Sequence, residues 1–197
     1  MIRFFDILFS FLGLIILMPI FIILSLLIIC TTKGSVFYLQ QRVGKNNKDF
    51  TLYKFCTMKK GADKKGLLTV GDKDIRITKI GYFLRKYKLD ELPQLLNVLV
   101  GDMSLVGPRP EVRKYVEIYN EEQKKVLQVR PGITDFASIE FRNENQLLAQ
   151  SENPEKYYKE EIMPKKLEIN LTYINKRSLK NYFKILFLTV VSVFWRK

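Results

Sequence analysis

Residues 85–110 read RKYKLDELPQLLNVLVGDMSLVGPRP. A helical pattern leads into this segment from about Ile77, with Ile80, Phe83, Leu84 and Tyr87 recurring on one face. That helix cannot run through Pro93, whose ring would collide with the carbonyl of Leu89. A break at Asp90 is therefore expected. Asp90 would cap a second helix, and Pro93 would sit in its first turn, where a missing N–H costs little. Leu92, Leu95, Leu96 and Leu99 would form the buried face of that second helix. Residues 102–106 suit a short strand, and the GPRP that follows suits a turn.

The same stretch carries the chemistry. Asp90 and Glu91 are adjacent carboxylates at the break. Capping alone accounts for Asp90, and the helix dipole alone accounts for Glu91. Yet a helix start also offers free N–H groups to phosphate, and paired carboxylates there can hold Mg²⁺ or attack phosphorus. Arg109 lies between Pro108 and Pro110. Pro110 keeps Arg109 extended, and this rigidity under a long cation suits bidentate recognition of phosphate. A rigid turn with an exposed arginine is the plainer reading. Arg85 offers a second cation, or simply a solvated helix face.

Upstream, residues 7–32 carry no charged side chain. As a helix they would be about 39 Å long, against a bilayer core of about 30 Å. No basic segment and no small-residue cleavage site mark a signal peptide. Pro19 lies near the middle and must disturb the helix. Two geometries follow: a kinked spanning helix, or a re-entrant helix–break–helix that returns to the same face. The lysines from Lys33 onward place that end in the cytosol, whereas Arg3 and Asp6 leave the N-terminus undecided. Near the other end, residues 182–195 are apolar but too short to cross. With basic flanks and with Tyr182 and Trp195, they read as a helix lying on the membrane, or else as a C-terminal core helix.

Between these ends, residues 35–44 and 50–58 read as a β-hairpin turning at Gly44–Asn47. Residues 59–74 read as a mobile Lys-, Asp- and Gly-rich loop. Residues 111–129 read as one amphipathic helix with Val112, Tyr115, Val116, Tyr119 and Val126 inward. Another helix begins near Pro164, with Leu167, Leu171 and Ile174 on one stripe.

The chain has 197 residues and a net charge of +13. The side chains of the first 32 residues sum to zero, so the whole excess lies beyond them. That excess implies an anionic partner: nucleic acid, lipid headgroups or a phosphorylated substrate. There is no histidine, which excludes Ser-His-Asp and Cys-His nucleophiles and His-ligated zinc. Cys30 and Cys56 make no disulfide framework, and a reduced cytosolic setting is the default. There is no P-loop, and no glycine-rich dinucleotide fingerprint follows a strand.

Several motifs stand in order along nearly the whole chain. They are the apolar segment with its central proline, Gly34-Ser35-Val36-Phe37, Gln40-Gln41-Arg42-Val43-Gly44-Lys45, Tyr53-Lys54-Phe55, LDELPQLLNVLVGDMSLVGPRP and RPGIT. Together they resemble the bacterial sugar transferases, and more closely the small monotopic phosphoglycosyl transferases. The resemblance implies transfer of a phosphosugar from a UDP-sugar to undecaprenyl phosphate with release of UMP, as the first membrane step of a surface glycan. It implies Asp90 as the nucleophile that forms a covalent phosphosugar intermediate, and Glu91 as its partner. It implies a Mg²⁺ cofactor held by Asp90 and Glu91, and contacts to phosphate or uridine by Arg85, Arg109 and Pro110.

The implied fold is α+β and helix-rich with a small β-hairpin. Residues 1–33 would be a re-entrant membrane segment broken at Pro19. Residues 34–197 would be a catalytic domain on the cytoplasmic face of the plasma membrane, ending in an interfacial helix at about 179–195. Implied partners are membrane lipids and downstream glycosyltransferases, with no nucleic acid. Three positions depart from the family pattern: Met18 precedes the proline in place of serine, Cys56 follows YKF in place of a basic residue, and DFASIEFRN follows PGIT in place of GWAQVNGRN. The alternative is a membrane-tethered basic module that binds nucleic acid or anionic lipid through its charge.

Overall fold

A computed structural model describes residues 1–32, 35–62, 68, 70–71 and 74–194. Helix α1 (Ile2–Thr32) runs for 31 residues with Pro19 inside it. The break expected at Pro19 is not present. Proline removes one backbone hydrogen bond and leaves the others in place, so the helix continues past Pro19. Most of α1 is exposed, including Phe11, Ile15, Ile16, Ile22, Ile23 and Leu26, so it is not the core helix of a soluble domain.

The hairpin forms as the alternation predicts. Strand β1 (Phe37–Val43) pairs antiparallel with β2 (Asp49–Phe55), with Phe37 opposite Phe55 and Val43 opposite Asp49. Asn97 covers part of the β2 edge. Its Nδ2 donates to the Thr51 carbonyl at 2.7 Å, and its Oδ1 accepts from the Tyr53 N–H at 3.0 Å. Of the expected loop 59–74, residues 63–67, 69, 72 and 73 lie outside the described residues. The described part is tied down at Lys59 N–H to the Arg76 carbonyl (2.9 Å) and at Gly71 N–H to the Asn145 carbonyl (3.0 Å).

Helix α2 (Lys79–Lys86) is capped by Thr78, whose Oγ1 accepts from Gly81 N–H at 2.9 Å. A Cβ on Gly81 would come within 2.0 Å of the Thr57 carbonyl oxygen, so only glycine lets α2 lie this close. The expected apolar face is divided. Leu84 is buried and Ile80 half-buried, whereas Phe83 and Tyr87 are exposed beside Tyr82.

Lys88 then takes a left-handed conformation (φ 57°), and a 3₁₀ turn follows over Leu89–Glu91. Helix α3 (Gln94–Val100) starts beyond Pro93. Asp90 is therefore not the expected N-cap. The turn satisfies its own backbone through Glu91 N–H to Lys88 O (3.3 Å) and Leu92 N–H to Leu89 O (3.2 Å). The Asp90 side chain has no capping bond to make. The buried face of α3 is Gln94, Asn97 and Val98, while Leu96 is exposed and Leu92, Leu95 and Leu99 are half-buried.

Strand β3 (Ser104–Val106) pairs in parallel with β4 (Gly132–Thr134), a pairing that the local pattern does not reveal. Gly107 and Gly132 meet at this crossing. A Cβ on Gly132 would lie 2.1 Å from the Gly107 nitrogen, so both motifs, GPRP and RPGIT, need their glycines to touch.

The single helix expected over 111–129 is instead α4 (Arg113–Val116), α5 (Glu121–Lys124) and a 3₁₀ turn (Lys125–Gln128). Asn120 forms a capping box with Gln123 and restarts the chain there. The expected inward residues, Val112, Tyr115, Val116, Tyr119 and Val126, are all buried. Helices α6 (Phe136–Glu140), α7 (Glu144–Gln150), α8 (Pro154–Tyr157), α9 (Met163–Asn175) and α10 (Leu179–Phe194) complete the chain.

Helix α10 exposes Phe183, Phe187, Val190 and Val191. Tyr182 is a correction. Rather than anchoring at an interface, it is fully buried, and its Oη donates to Asp6 Oδ1 at 2.9 Å. Trp195 lies outside the described residues. Asp6 itself is buried in the first turns of α1, and its Oδ1 also accepts from Ser104 Oγ and Leu105 N–H, both at 2.9 Å. One turn earlier, Arg3 donates to the Val98 and Leu99 carbonyls at the end of α3, at 2.6 and 3.0 Å. Toward the other end of α1, Leu24 and Ile28 pack with Phe55 and Leu84. Both ends of α1 therefore rest on one body.

Candidate active site

Three segments converge on one cleft of about 380 Å³. The 3₁₀ turn brings Asp90 and Glu91, β2 brings Lys54, and the extended chain after β3 brings Arg109. Backbone bonds hold that extended chain on both sides. Gly107 N–H donates to Thr134 O at 3.0 Å, and Gly132 N–H donates to Pro108 O at 2.9 Å. Arg109 N–H donates to Asp135 Oδ2 at 3.0 Å, and the Pro110 carbonyl accepts from Arg42 at 2.9 Å. The two prolines fix the torsions, and these bonds fix the direction.

The Arg109 guanidinium meets Glu91 in a two-pronged pair, with Nη1 donating to Oε2 at 3.0 Å and Nη2 donating to Oε1. Lys54 Nζ lies 3.6 Å from Glu91 Oε1. Burial alone would raise the Glu91 carboxyl, but Arg109, Lys54 and Lys88 outweigh it and hold the group well below the usual carboxylate range. In return, the Glu91 carboxylate holds Arg109 above its ordinary value. Burial brings the Lys54 amine down to about 8, against the opposing pull of Glu91.

Asp90 differs from its neighbour. It is buried, and its Oδ1 has no hydrogen-bond partner. Burial first, and the Glu91 charge second, raise its carboxyl, while Lys54, Arg85 and Lys88 oppose them. Two adjacent carboxylates thus have divided environments. One is committed to an arginine, and the other keeps a buried oxygen without a partner, in a residue that lines the cleft with Lys54, Arg85, Lys88 and Arg109. Arg85 lines the same cleft, its Nε donating to Thr57 Oγ1 at 2.9 Å. Pro110 contributes its carbonyl to Arg42.

The sequence reading passed over several residues of this site. Arg42 and Lys54 sit in motifs quoted only for their order. Asp135 is fully buried. Its Oδ2 accepts from Arg109 N–H, and its Oδ1 accepts from Ser138 N–H at the start of α6. Its signal was an aspartate just before a short helical run, an N-cap pattern hidden inside a departure from the family motif. Replacing Asp135 by Asn keeps one acceptor but turns a donor toward an N–H group. We expect Asp135→Asn to cost about 1–2 kcal/mol in stability. It should also lower kcat/KM about tenfold by loosening Arg109, as chemical denaturation and steady-state rates would show.

The fold thus joins a buried carboxylate pair set among lysines and arginines to a body that carries a long, exposed, apolar helix. The chain belongs to the bacterial sugar transferase family, whose model matches residues 1–196, and it is a transferase. It is 43% identical over 158 residues to the uncharacterized sugar transferase EpsL of Bacillus subtilis, covering 80% of this chain and 69% of that one. It is 37% identical over 200 residues to the UDP-glucose:undecaprenyl-phosphate glucose-1-phosphate transferase of Klebsiella pneumoniae, covering 98% of this chain and 40% of that one. It is 41% identical over 137 residues to the UDP-N-acetylgalactosamine-undecaprenyl-phosphate N-acetylgalactosaminephosphotransferase of Aeromonas hydrophila, covering 68% of this chain and 32% of that one. The chain spans less than half the length of these last two relatives.

Proposed function

We propose that this protein transfers a phosphosugar from a UDP-sugar to undecaprenyl phosphate, through a covalent intermediate on Asp90. The observation that carries the reading is the bare Asp90 Oδ1, buried in a cleft lined by Lys54, Arg85, Lys88 and Arg109. Asp90 Oδ1 attacks the phosphorus that bears the sugar. The bond from that phosphorus to the bridging oxygen breaks, and UMP leaves with the oxygen and its electron pair. A phosphate oxygen of the acceptor then attacks the same phosphorus, and the Asp90–phosphorus bond breaks to restore the carboxylate. Splitting the transfer in two avoids aligning two large substrates at once. Glu91 keeps Arg109 and Lys54 aimed at the cleft, and the cations offset the diphosphate charge.

The residues also suit Mg²⁺. Both Glu91 oxygens are engaged by Arg109, so the Asp90 carboxylate is the group that would hold the ion, in keeping with the habit of Mg²⁺ to take one or two carboxylates beside substrate phosphates. When bound, the ion would neutralise diphosphate charge.

The membrane reading rests on α1. Arg3 and Asp6 near one end, and Leu24 and Ile28 near the other, contact the same body, whereas a spanning helix would carry one end to the far side. This supports a segment that returns to one face as an unbroken helix, with the exposed apolar residues of α1, α2 and α10 in lipid and the body on the cytoplasmic face of the plasma membrane. There the basic domain meets anionic donor, acceptor and lipid together. Downstream glycosyltransferases would take up the product.

The direct test is UMP release over a panel of UDP-sugars with undecaprenyl phosphate and Mg²⁺. Turnover with at least one donor is expected. Salt-sensitive anion binding with no turnover would instead favour the basic binding module. The pH profile adds a second check. Asp90 works as a carboxylate, so kcat/KM is expected to fall on acidification at a pH above that of an ordinary aspartate, because burial and the Glu91 charge raise its carboxyl. Lys54 is protonated below about 8 and loses its charge above it, so an alkaline limb is expected near that pH. Lys54→Arg should move that limb upward.

A further inference from the structure

Among the described residues, five buried side-chain polar atoms lack a partner, and two of these belong to residues lining the active-site cleft. One is Asp90 Oδ1, which the reaction uses. The other is Ser138 Oγ. Several polar groups near it in the cleft are already matched. Lys166 Nζ donates to Glu144 Oε2 at 2.8 Å, Tyr158 Oη donates to Glu111 Oε1, and Arg42 reaches Gln40, Pro110 and Glu111. A buried hydroxyl left bare beside satisfied neighbours costs free energy, and such a group in a folded protein calls for a ligand or water.

Its placement says which ligand. Asp135 holds the Arg109 N–H with one carboxylate oxygen and the Ser138 N–H with the other. Ser138 is thereby fixed to the same anchor that aims Arg109. Phe141 and Leu148, from the same stretch of chain, add apolar wall to the cleft. A serine hydroxyl both donates and accepts and carries no charge, so it can pair with a ring hydroxyl, an amide or a carbonyl, while the lysines and arginines of the cleft supply the charge that phosphates need.

We infer that Ser138 Oγ is a specificity-determining contact to the neutral part of the donor, its nucleoside or its sugar, while the cations and Asp90 take the phosphates. This rests on the phosphoglycosyl transferase reading and falls with it.

The experiment compares wild type, Ser138→Ala, Ser138→Thr and Asp90→Asn in the UMP-release assay. Wild-type turnover that Asp90→Asn abolishes establishes the underlying reading. Absence of wild-type turnover on the whole panel overturns that reading, and this inference with it. Given turnover, Ser138→Ala should raise the donor KM roughly threefold to tenfold, the scale of one neutral hydrogen bond. The acceptor KM should stay put, the melting temperature should be unchanged or higher, and Ser138→Thr should recover most of the loss.

Competition by UDP distinguishes the two sources. If UDP inhibition weakens in parallel, the contact is to the nucleoside. If UDP inhibition is unchanged while the loss varies among UDP-sugars, the contact is to the sugar. A donor KM within about twofold of wild type for every UDP-sugar, with UDP inhibition unchanged, overturns the assignment. A shift in acceptor KM alone does the same.

Discussion

On the proposed mechanism, Asp90→Asn is expected to abolish UMP release, by about three orders of magnitude or more, while the protein stays folded and membrane-bound. The magnitude follows from the role. An amide cannot serve as the attacking oxygen, and Glu91 cannot replace it, because both of its oxygens are bound to Arg109. The structural side of this prediction is less usual. Asp90 Oδ1 is buried with no partner, and burial raises its carboxyl. Removing the charge therefore relieves a cost instead of breaking a bond. We expect the melting temperature of Asp90→Asn to hold or to rise by a few degrees, about 2–4 °C per kcal/mol for a chain of this size. A purely structural aspartate would give the opposite pair of results: activity retained and stability lost.

Asp6→Ala should be the most damaging substitution outside the cleft. Asp6 Oδ1 accepts from Ser104 Oγ, Leu105 N–H and Tyr182 Oη, all at 2.9 Å. Alanine leaves three buried donors unpaired, at a cost of about 3 kcal/mol or more. Asp6→Asn keeps an acceptor and should cost about 1 kcal/mol, since a charged acceptor is worth more than a neutral one. Unfolding in detergent measures both. The same residue tests the membrane geometry. On the re-entrant reading, which seats Asp6 on a body at the cytoplasmic face, a cysteine introduced at Ile2 should react with a membrane-impermeant reagent only from the cytoplasmic side. Labelling only from outside would refute the re-entrant reading.

How much of this was legible in the sequence depends on how far apart the partners lie. Pro93 forced a break in the chain, so the placement of Asp90 and Glu91 at a turn could be read locally. The form of that turn could not. A left-handed Lys88 and a 3₁₀ turn replace the expected cap, and this difference is what leaves the Asp90 carboxylate free. The inward face of 111–129 was readable from spacing, but the interruption at Asn120 depends on a four-residue capping box that periodicity ignores. Arg109 was expected to be a cation waiting for phosphate, and its engagement with Glu91, 18 residues away, needs the folded chain. Asp135 and Ser138 looked like departures from a pattern and proved to be the second support of the site. Asp6 was the strongest missed signal. A lone carboxylate in an otherwise apolar helix asks for a partner, and sequence alone cannot say where that partner is.

The contact between Asp6 and Tyr182 joins residues 176 positions apart. Chains emerge from the ribosome N-terminus first, so α1 is made long before the tyrosine that completes its carboxylate's shell. Until α10 is made and docks, the Asp6 carboxylate has the two donors of β3, Ser104 Oγ and Leu105 N–H, but not the third. Docking of α10 is thus the step that completes the Asp6 shell, and a product truncated before Leu179 is expected to leave that shell one donor short.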